Sequence, residues 1–161
     1  MTLRVYVASP LGFTEAGRAF LTSQLIPRLA SAGVTPIDPW TLVADDRIDA
    51  VRVMPDGPAK REAWTRLGHE MGETNRRALE EADAVVAVLD GTDVDSGTAA
   101  EIGYAFARGR TIVGYRSDLR RAGEHDGVIV NLQVEYFIRA SGGTIVATLD
   151  ELPAALARAG R

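Results

Sequence analysis

Cysteine is absent from this chain, so no disulfide framework, thiolate metal site or cysteine nucleophile can be built from it. Histidine is scarce: His69 and His125 are the two, and neither sits in a pattern that suggests a triad or a metal site. Both read as surface residues. Serine hydrolase chemistry has no nucleophile elbow to rest on. The GxGxxG and Walker patterns are both missing, which leaves dinucleotide hydride chemistry with little support. An excess of cations is missing too. The net charge of −4 and pI near 5.2 argue against an electrostatic nucleic-acid binder. No apolar run approaches membrane-spanning length, and no internal repeat or low-complexity tract is visible. Nothing resembles a signal peptide, since Met1-Thr-Leu-Arg-Val-Tyr6 enters a strand at once. The location expected by default is the cytoplasm.

What remains is an ordinary soluble composition, with 25% charged and 46% apolar residues. Its 161 residues suffice for one domain, 1–161, that buries a full sheet with flanking helices. Strand-like and helix-like segments alternate throughout. Strands are expected at 3–8, 34–37, 84–89, 111–115 and 144–148, the second at a sheet edge because of Pro36. The run at 84–89 is the most apolar and reads as central, buried on both faces. A helix spans 14–32, ended by Gly33, with a kink or break at Pro27. Others span about 59–81, where Gly68 and Gly72 weaken the middle, 130–140 and 149–159. Residues 38–58 read as a long excursion rich in turn signals, and 116–126 as a charged loop.

This alternation implies an α/β fold, a three-layer sandwich with a five-stranded parallel sheet of flavodoxin-like or Rossmann-like order 2-1-3-4-5. Ligands in such sheets bind beyond the carboxyl ends of the strands at the switch point, here between the first and third strands. That rule brings 6–13 next to 90–101.

The stretch from Asp90 to Gly109 is the most informative. An apolar strand feeds a loop of carboxylates and small residues, which opens a helix carrying Glu101 in its first turn. Helix-end amides there favour an ionised carboxylate, and a positioned anion in a Gly-lined pocket can attack an anomeric carbon. The same residues also have a structural reading: Thr98-Ala-Ala-Glu101 fits a capping box. Asp90, Asp93 and Asp95 read either as a divalent metal site or as solvated loop residues. Asp95 stands apart, because Ser96-Gly97 carries it directly into the Glu101 helix. Two carboxylates so close can divide roles, one attacking the anomeric carbon while the other protonates the leaving group. On the opposite loop, Ser9-Pro10-Leu-Gly-Phe13 is a rigid turn. Its aromatic can stack on a flat heterocycle or staple the first helix.

Four pieces of the chain resemble the nucleoside 2-deoxyribosyltransferase family. They are Val5-Tyr-Val-Ala-Ser-Pro10; Asn75 with Ala78-Leu-Glu-Glu-Ala-Asp-Ala84; Asp95-Ser-Gly-Thr-Ala-Ala-Glu-Ile-Gly-Tyr104; and Val130-Asn-Leu-Gln-Val-Glu135. The resemblance implies base exchange with retention at the sugar and no cofactor or metal. By this likeness Glu101 is the nucleophile at C1′, Tyr6 positions it, and Asp95 manages the proton of the base. Ser9, Pro10, Ser96 and Gly97 line the substrate, Phe13 lies against the base, and Asn75 lies near the sugar hydroxyls. Asn131 binds the 5′-hydroxyl in a neighbouring subunit, implying a homo-oligomer, dimer or hexamer. The partners are deoxynucleosides and free nucleobases.

Some members end in a tyrosine whose carboxylate enters the adjacent site. This chain ends Ala-Arg-Ala-Gly-Arg161, which puts more of that contact on Asn131. Gln133 stands where methionine is frequent. Asp45, Asp46 and Arg47 have no assigned role, and base preference is expected to depend on their loop. Two other readings stand beside the transferase. One is a nucleoside or 5′-monophosphate N-glycosidase, with Arg116, Arg120 and Arg121 as sources of a phosphate pocket. The other is a binding module without catalysis, against which an intact Tyr6, Asp95 and Glu101 set argues.

Overall fold

The sheet can be read from the alternation of its first strand. In the computed structural model, which describes residues 2–159, β1 (Arg4–Ala8) sends Val5 and Val7 to one face and Tyr6 and Ala8 to the other. A period of two in side-chain direction allows one strand to feed two cores. Beside it lie β2 (Thr35–Ile37), β3 (Ala84–Val88), β4 (Thr111–Tyr115) and β5 (Ile145–Val146). All pairs are parallel, in the order β2-β1-β3-β4-β5. Every residue of β3 is buried, as its unbroken apolar run predicts for a strand covered on both sides. Gly160 and Arg161, at the chain end considered above, lie outside the described residues.

The helices divide between the faces. Val5, Val7, Val86 and Val113 pack with Leu21, Leu25 and Leu29 of the first helical segment and with Leu152 and Leu156 of the last helix, α7 (Leu152–Ala159). On the other face Tyr6, Ala8, Val85, Ala87 and Ile112 meet α4 (Pro58–Glu81), α5 (Ser96–Ala107) and α6 (Leu132–Ala140). No helix among the described residues is long and apolar enough to cross a membrane.

Four local features differ from the sequence reading, each for a physical reason. The helix read at 14–32 becomes α1 (Glu15–Phe20), a π-helical turn (Leu21–Leu25) and α2 (Ile26–Ser31). Pro27 has no N–H to give the carbonyl of Ser23 and its ring crowds that carbonyl, so the wider turn forms just before it. The excursion at 38–58 is not all loop. It holds a short 3-10 turn (Pro39–Thr41) and α3 (Asp45–Arg52). Asp45 and Asp46 in the first turn of α3 and Arg52 in the last complement the helix dipole, and an Arg47–Glu70 ion pair ties it to α4. The fifth strand is shorter than 144–148. Glu151 Oε2 accepts from the backbone N–H groups of Ala147 and Thr148 at 3.0 and 2.9 Å, withdrawing them from the ladder into a capping box. Finally, α4 runs unbroken past Gly68 and Gly72.

Candidate active site

Tyr6 sits in the middle of β1, wholly buried, on the face covered by α5. Its hydroxyl donates to Glu101 Oε1 at 2.5 Å. The chain leaves β1 and β3 toward opposite faces, and this bond lies where they part. The switch-point rule thus brings together the two loops it was expected to join. Burial, the Glu101 charge, the hydrogen bond and the Asp38 charge all raise the phenol well above its ordinary value. It is a fixed donor.

Helix α5 begins differently from the sequence reading. Asp95, not Thr98, is the N-cap: its Oδ2 accepts from the Thr98 N–H at 2.9 Å and from the Thr98 hydroxyl at 3.3 Å. Thr98 is the third helical residue, so the Thr98–Glu101 capping box does not form. Glu101 falls in the second turn, beyond the free amides of the helix start. Its environment therefore reverses the expected effect. Burial pushes the Glu101 carboxyl above the ordinary carboxylate value, the Tyr6 bond pulls it down, and the Asp95 charge pushes it up. Desolvation, not the helix end, dominates this carboxyl. Ser96 and Gly97 are exposed at the start of α5, and Asp95 Oδ1 has no hydrogen-bond partner among the described residues.

The rim on the β1 side is aromatic. Ser9 is buried, with its Oγ accepting from the Leu11 N–H at 3.0 Å. Pro10 then leads into a 3-10 turn (Leu11–Phe13). Phe13 is 71% exposed and meets Trp40 edge-on, with ring centroids 4.7 Å apart. It is no buried staple. Trp40 Nε1 donates to the Ser9 carbonyl at 3.1 Å, and its ring lies so close to Gly12 that a Cβ there would overlap it. The sequence reading missed Trp40 and its neighbour Asp38, whose Oδ1 accepts from the Trp40 N–H at 3.0 Å. Burial raises the Asp38 carboxyl, and the Trp40 amide lowers it. The available signal was position: Asp38-Pro-Trp40 follows the second strand at the carboxyl edge beside the switch.

The rim on the β4 side is cross-stitched. Asp90 accepts from the Ser117 N–H (2.6 Å), the Ser117 hydroxyl (2.8 Å) and the Asp118 N–H (2.8 Å). In return Arg116, 4% exposed, donates to the carbonyls of Leu89, Gly91 and Arg120. The three loop aspartates face separate partners: Asp93 accepts from the Val94 N–H at 2.8 Å, while Asp95 caps α5. Among the described residues no group of three acidic or histidine side chains could hold a metal ion.

Two predicted residues stand apart. Asn75 is half-buried on α4, one turn before Leu79 and so on the same stripe, and makes no hydrogen bond to Tyr6, Asp95 or Glu101. Asn131 is the N-cap of α6. Its Oδ1 accepts from the N–H groups of Gln133 (3.0 Å) and Val134 (3.3 Å), and its Nδ2 donates to Glu124 at 2.6 Å. Among the described residues no hydrogen bond joins it to Glu101. His69 and His125 are exposed, as read.

A family model for nucleoside 2-deoxyribosyltransferases matches residues 5–133. No curated protein matches the sequence. Among solved structures, the chain is similar to a conserved protein from Enterococcus faecalis V583, with 20% identity, 98% of each chain covered and a TM-score of 0.67. It is similar to a 2-deoxyribosyltransferase from Leishmania mexicana, with 22% identity, 96% of this chain and 95% of that one covered, and a TM-score of 0.62. A CMP N-glycosidase from Clostridium botulinum is similar at 17% identity, over 96% of this chain and 98% of that one, with a TM-score of 0.56. At these identities the likeness to the structures is one of fold.

Proposed function

This chain belongs to the nucleoside 2-deoxyribosyltransferase family, and from that premise we propose that it moves the 2-deoxyribosyl group of a deoxynucleoside from one nucleobase to another. Glu101 attacks C1′ as the C1′–N bond breaks, and the departing base takes the bonding pair and a proton held at Asp95. The resulting deoxyribosyl ester of Glu101 is then attacked by a ring nitrogen of a second base. That base gives its proton back to Asp95, and the Glu101 carboxylate is released. A 2-deoxy sugar lacks an electron-withdrawing hydroxyl, so its oxocarbenium-like transition state is reached without a metal. The observation that carries the reading is the 2.5 Å bond from buried Tyr6 to Glu101. It holds a desolvated carboxylate in one orientation beside a second carboxylate, the division of labour glycosyl transfer needs.

The charges of the crevice support a neutral nucleoside over a 5′-monophosphate. Asp38 and Glu101 border it, and of the three arginines considered for a phosphate pocket Arg116 is spent on backbone carbonyls and Arg120 on Asp118, which leaves Arg121 alone. Hydrolysis is the second reading, since the same ester can meet water, and Phe13 on the rim is itself exposed to solvent. One experiment separates them: chromatography of purified protein with 2′-deoxyinosine, with and without adenine. Deoxyadenosine formed only with adenine supports transfer. Hypoxanthine released equally in both tubes, with no new nucleoside, overturns it in favour of hydrolysis. Full activity in Glu101→Ala would sink the mechanism itself.

We further propose a homo-oligomer in which Asn131 completes a neighbour's site and meets the 5′-hydroxyl. Leu132 and Tyr136, one turn apart on α6, are 46% and 58% exposed, an apolar strip beside Asn131 that suits subunit contact. Inactive Glu101→Ala subunits mixed with Asn131→Ser subunits, whose serine keeps the helix cap, should regain activity. No recovery despite demonstrated subunit exchange would refute the shared site.

A further inference from the structure

Among the described residues, two carboxylate oxygens bordering the crevice, Oδ2 of Asp38 and Oδ1 of Asp95, have no hydrogen-bond partner, and no cation pairs with either side chain. Asp95 already has a role in the reading above. Asp38 has none. We propose that Asp38 reads the exocyclic group of the nucleobase, accepting a hydrogen bond from an amino group and rejecting a carbonyl oxygen at the same place.

The placement follows from the sheet. Tyr6 pairs in register with Ile37, so Asp38 is the first residue beyond β2, at the carboxyl edge where the crevice opens. It is near enough for its charge to act on the Tyr6 phenol. It also anchors the aromatic rim, because Asp38 Oδ1 holds the N–H of Trp40, and Trp40 lies against Gly12 and Phe13. A flat ring resting on Phe13 would turn its edge toward this carboxylate. An ionised carboxylate only accepts hydrogen bonds. An amino group supplies what it lacks, whereas a carbonyl sets lone pairs against lone pairs in a partly desolvated place, where the mismatch is costly.

A purely structural role for Asp38 exists, as the cap of the 3-10 turn. That role needs a short side-chain oxygen, not a negative charge, and Asn or Ser fills it equally well. The two roles therefore separate in one substitution.

The inference rests on the nucleoside reading, and its test is arranged to stand without it. At mildly alkaline pH, kcat/KM is compared for deoxyadenosine against deoxyinosine and for deoxycytidine against deoxyuridine, in the parent and in Asp38→Asn. Free adenine and hypoxanthine are titrated calorimetrically into the same proteins. The parent should favour the amino member of each pair by about tenfold or more, the value of one hydrogen bond to a charged group. Asp38→Asn, whose amide can donate, should lose or invert that ratio and keep its thermal midpoint. An unchanged ratio, or a parent that favours the carbonyl member, overturns the proposal. If the parent turns over no nucleoside, the transferase reading fails and the base titrations decide alone. Adenine preferred by the parent and not by the variant supports Asp38; equal binding, or none, overturns it. Should Asp38→Asn fail to fold, Asp38→Ser removes the charge and retains the cap.

Discussion

Replacing Tyr6 by phenylalanine deletes one oxygen from a wholly buried ring and leaves intact its place in the core cluster that includes Ala78, Val85 and Ile102. What is lost is the 2.5 Å bond to Glu101, and among the described residues no other donor reaches that carboxylate. A hydrogen bond to a charged group is worth roughly 1.5–3 kcal/mol. If that much orientation and stabilisation of the attacking carboxylate disappears, the rate of base exchange falls by about 10- to 100-fold without vanishing. The pH profile carries a second signature. The Tyr6 bond lowers the Glu101 carboxyl against the upward push of burial, so its loss lets the carboxyl rise further. The acid limb of the profile must then move to higher pH. The assay is the initial rate of deoxyadenosine formation from deoxyinosine and adenine, read by chromatography across the acid and neutral range. A rate and an acid limb both unchanged would remove Tyr6 from the site. A total loss of activity in a normally melting protein would show that the phenol does more than hold Glu101.

Glu101→Gln should abolish exchange and change the pH dependence of stability. Because the folded state holds the Glu101 proton more tightly than the unfolded chain, stability linked to this group is full below the ordinary carboxylate value. It is lost as pH rises through the raised one. Denaturation of the Gln variant should lack that decline, and a decline identical to the parent's would refute the desolvation argument. Asp95→Ala should lose the α5 cap, about 1 kcal/mol of unfolding free energy, along with activity. Asp95→Asn should retain the cap and still lose activity, and full turnover in Asp95→Asn would deny it a proton role. Arg116→Met strips donors from three backbone carbonyls at about 1–3 kcal/mol for each one left buried and unpaired. An unchanged urea midpoint would show that water replaces the guanidinium.

The sheet order and the approach of 6–13 to 90–101 were legible because they depend on patterns the chain carries locally, whereas the pairing of Tyr6 with Glu101 within those loops was legible only through the family resemblance. Ala84–Val88 is uniformly apolar, Val5–Ala8 alternates between two cores, and the switch-point rule converts those facts into a shared crevice. The start of α5 was ambiguous for a chemical reason: Asp95, Ser96 and Thr98 are all good caps, and only geometry chooses among them. Helix α3 was hidden because it buries none of its residues, so no apolar period marks it. Asp38 and Trp40 read as part of a turn-rich excursion, since Pro-Trp is a turn signal whether or not a ligand lies beside it. The Asp90–Ser117 and Arg116–Gly91 bonds join positions more than twenty residues apart, and nothing in either segment announces the other.

Tyr6 and Glu101 touch, yet drift would treat them differently. A lineage that stopped using the site would still need a large ring under α5, so an aromatic at position 6 would persist on packing alone. The carboxylate has no such protection. Partly buried, desolvated and held by one hydrogen bond, Glu101 is a burden on folding that glutamine or an apolar residue would lift. A retired copy of this protein would therefore shed the glutamate first and keep the aromatic ring. For sorting living enzymes from silent descendants of the same fold, position 101 is the informative one, and position 6 tells little.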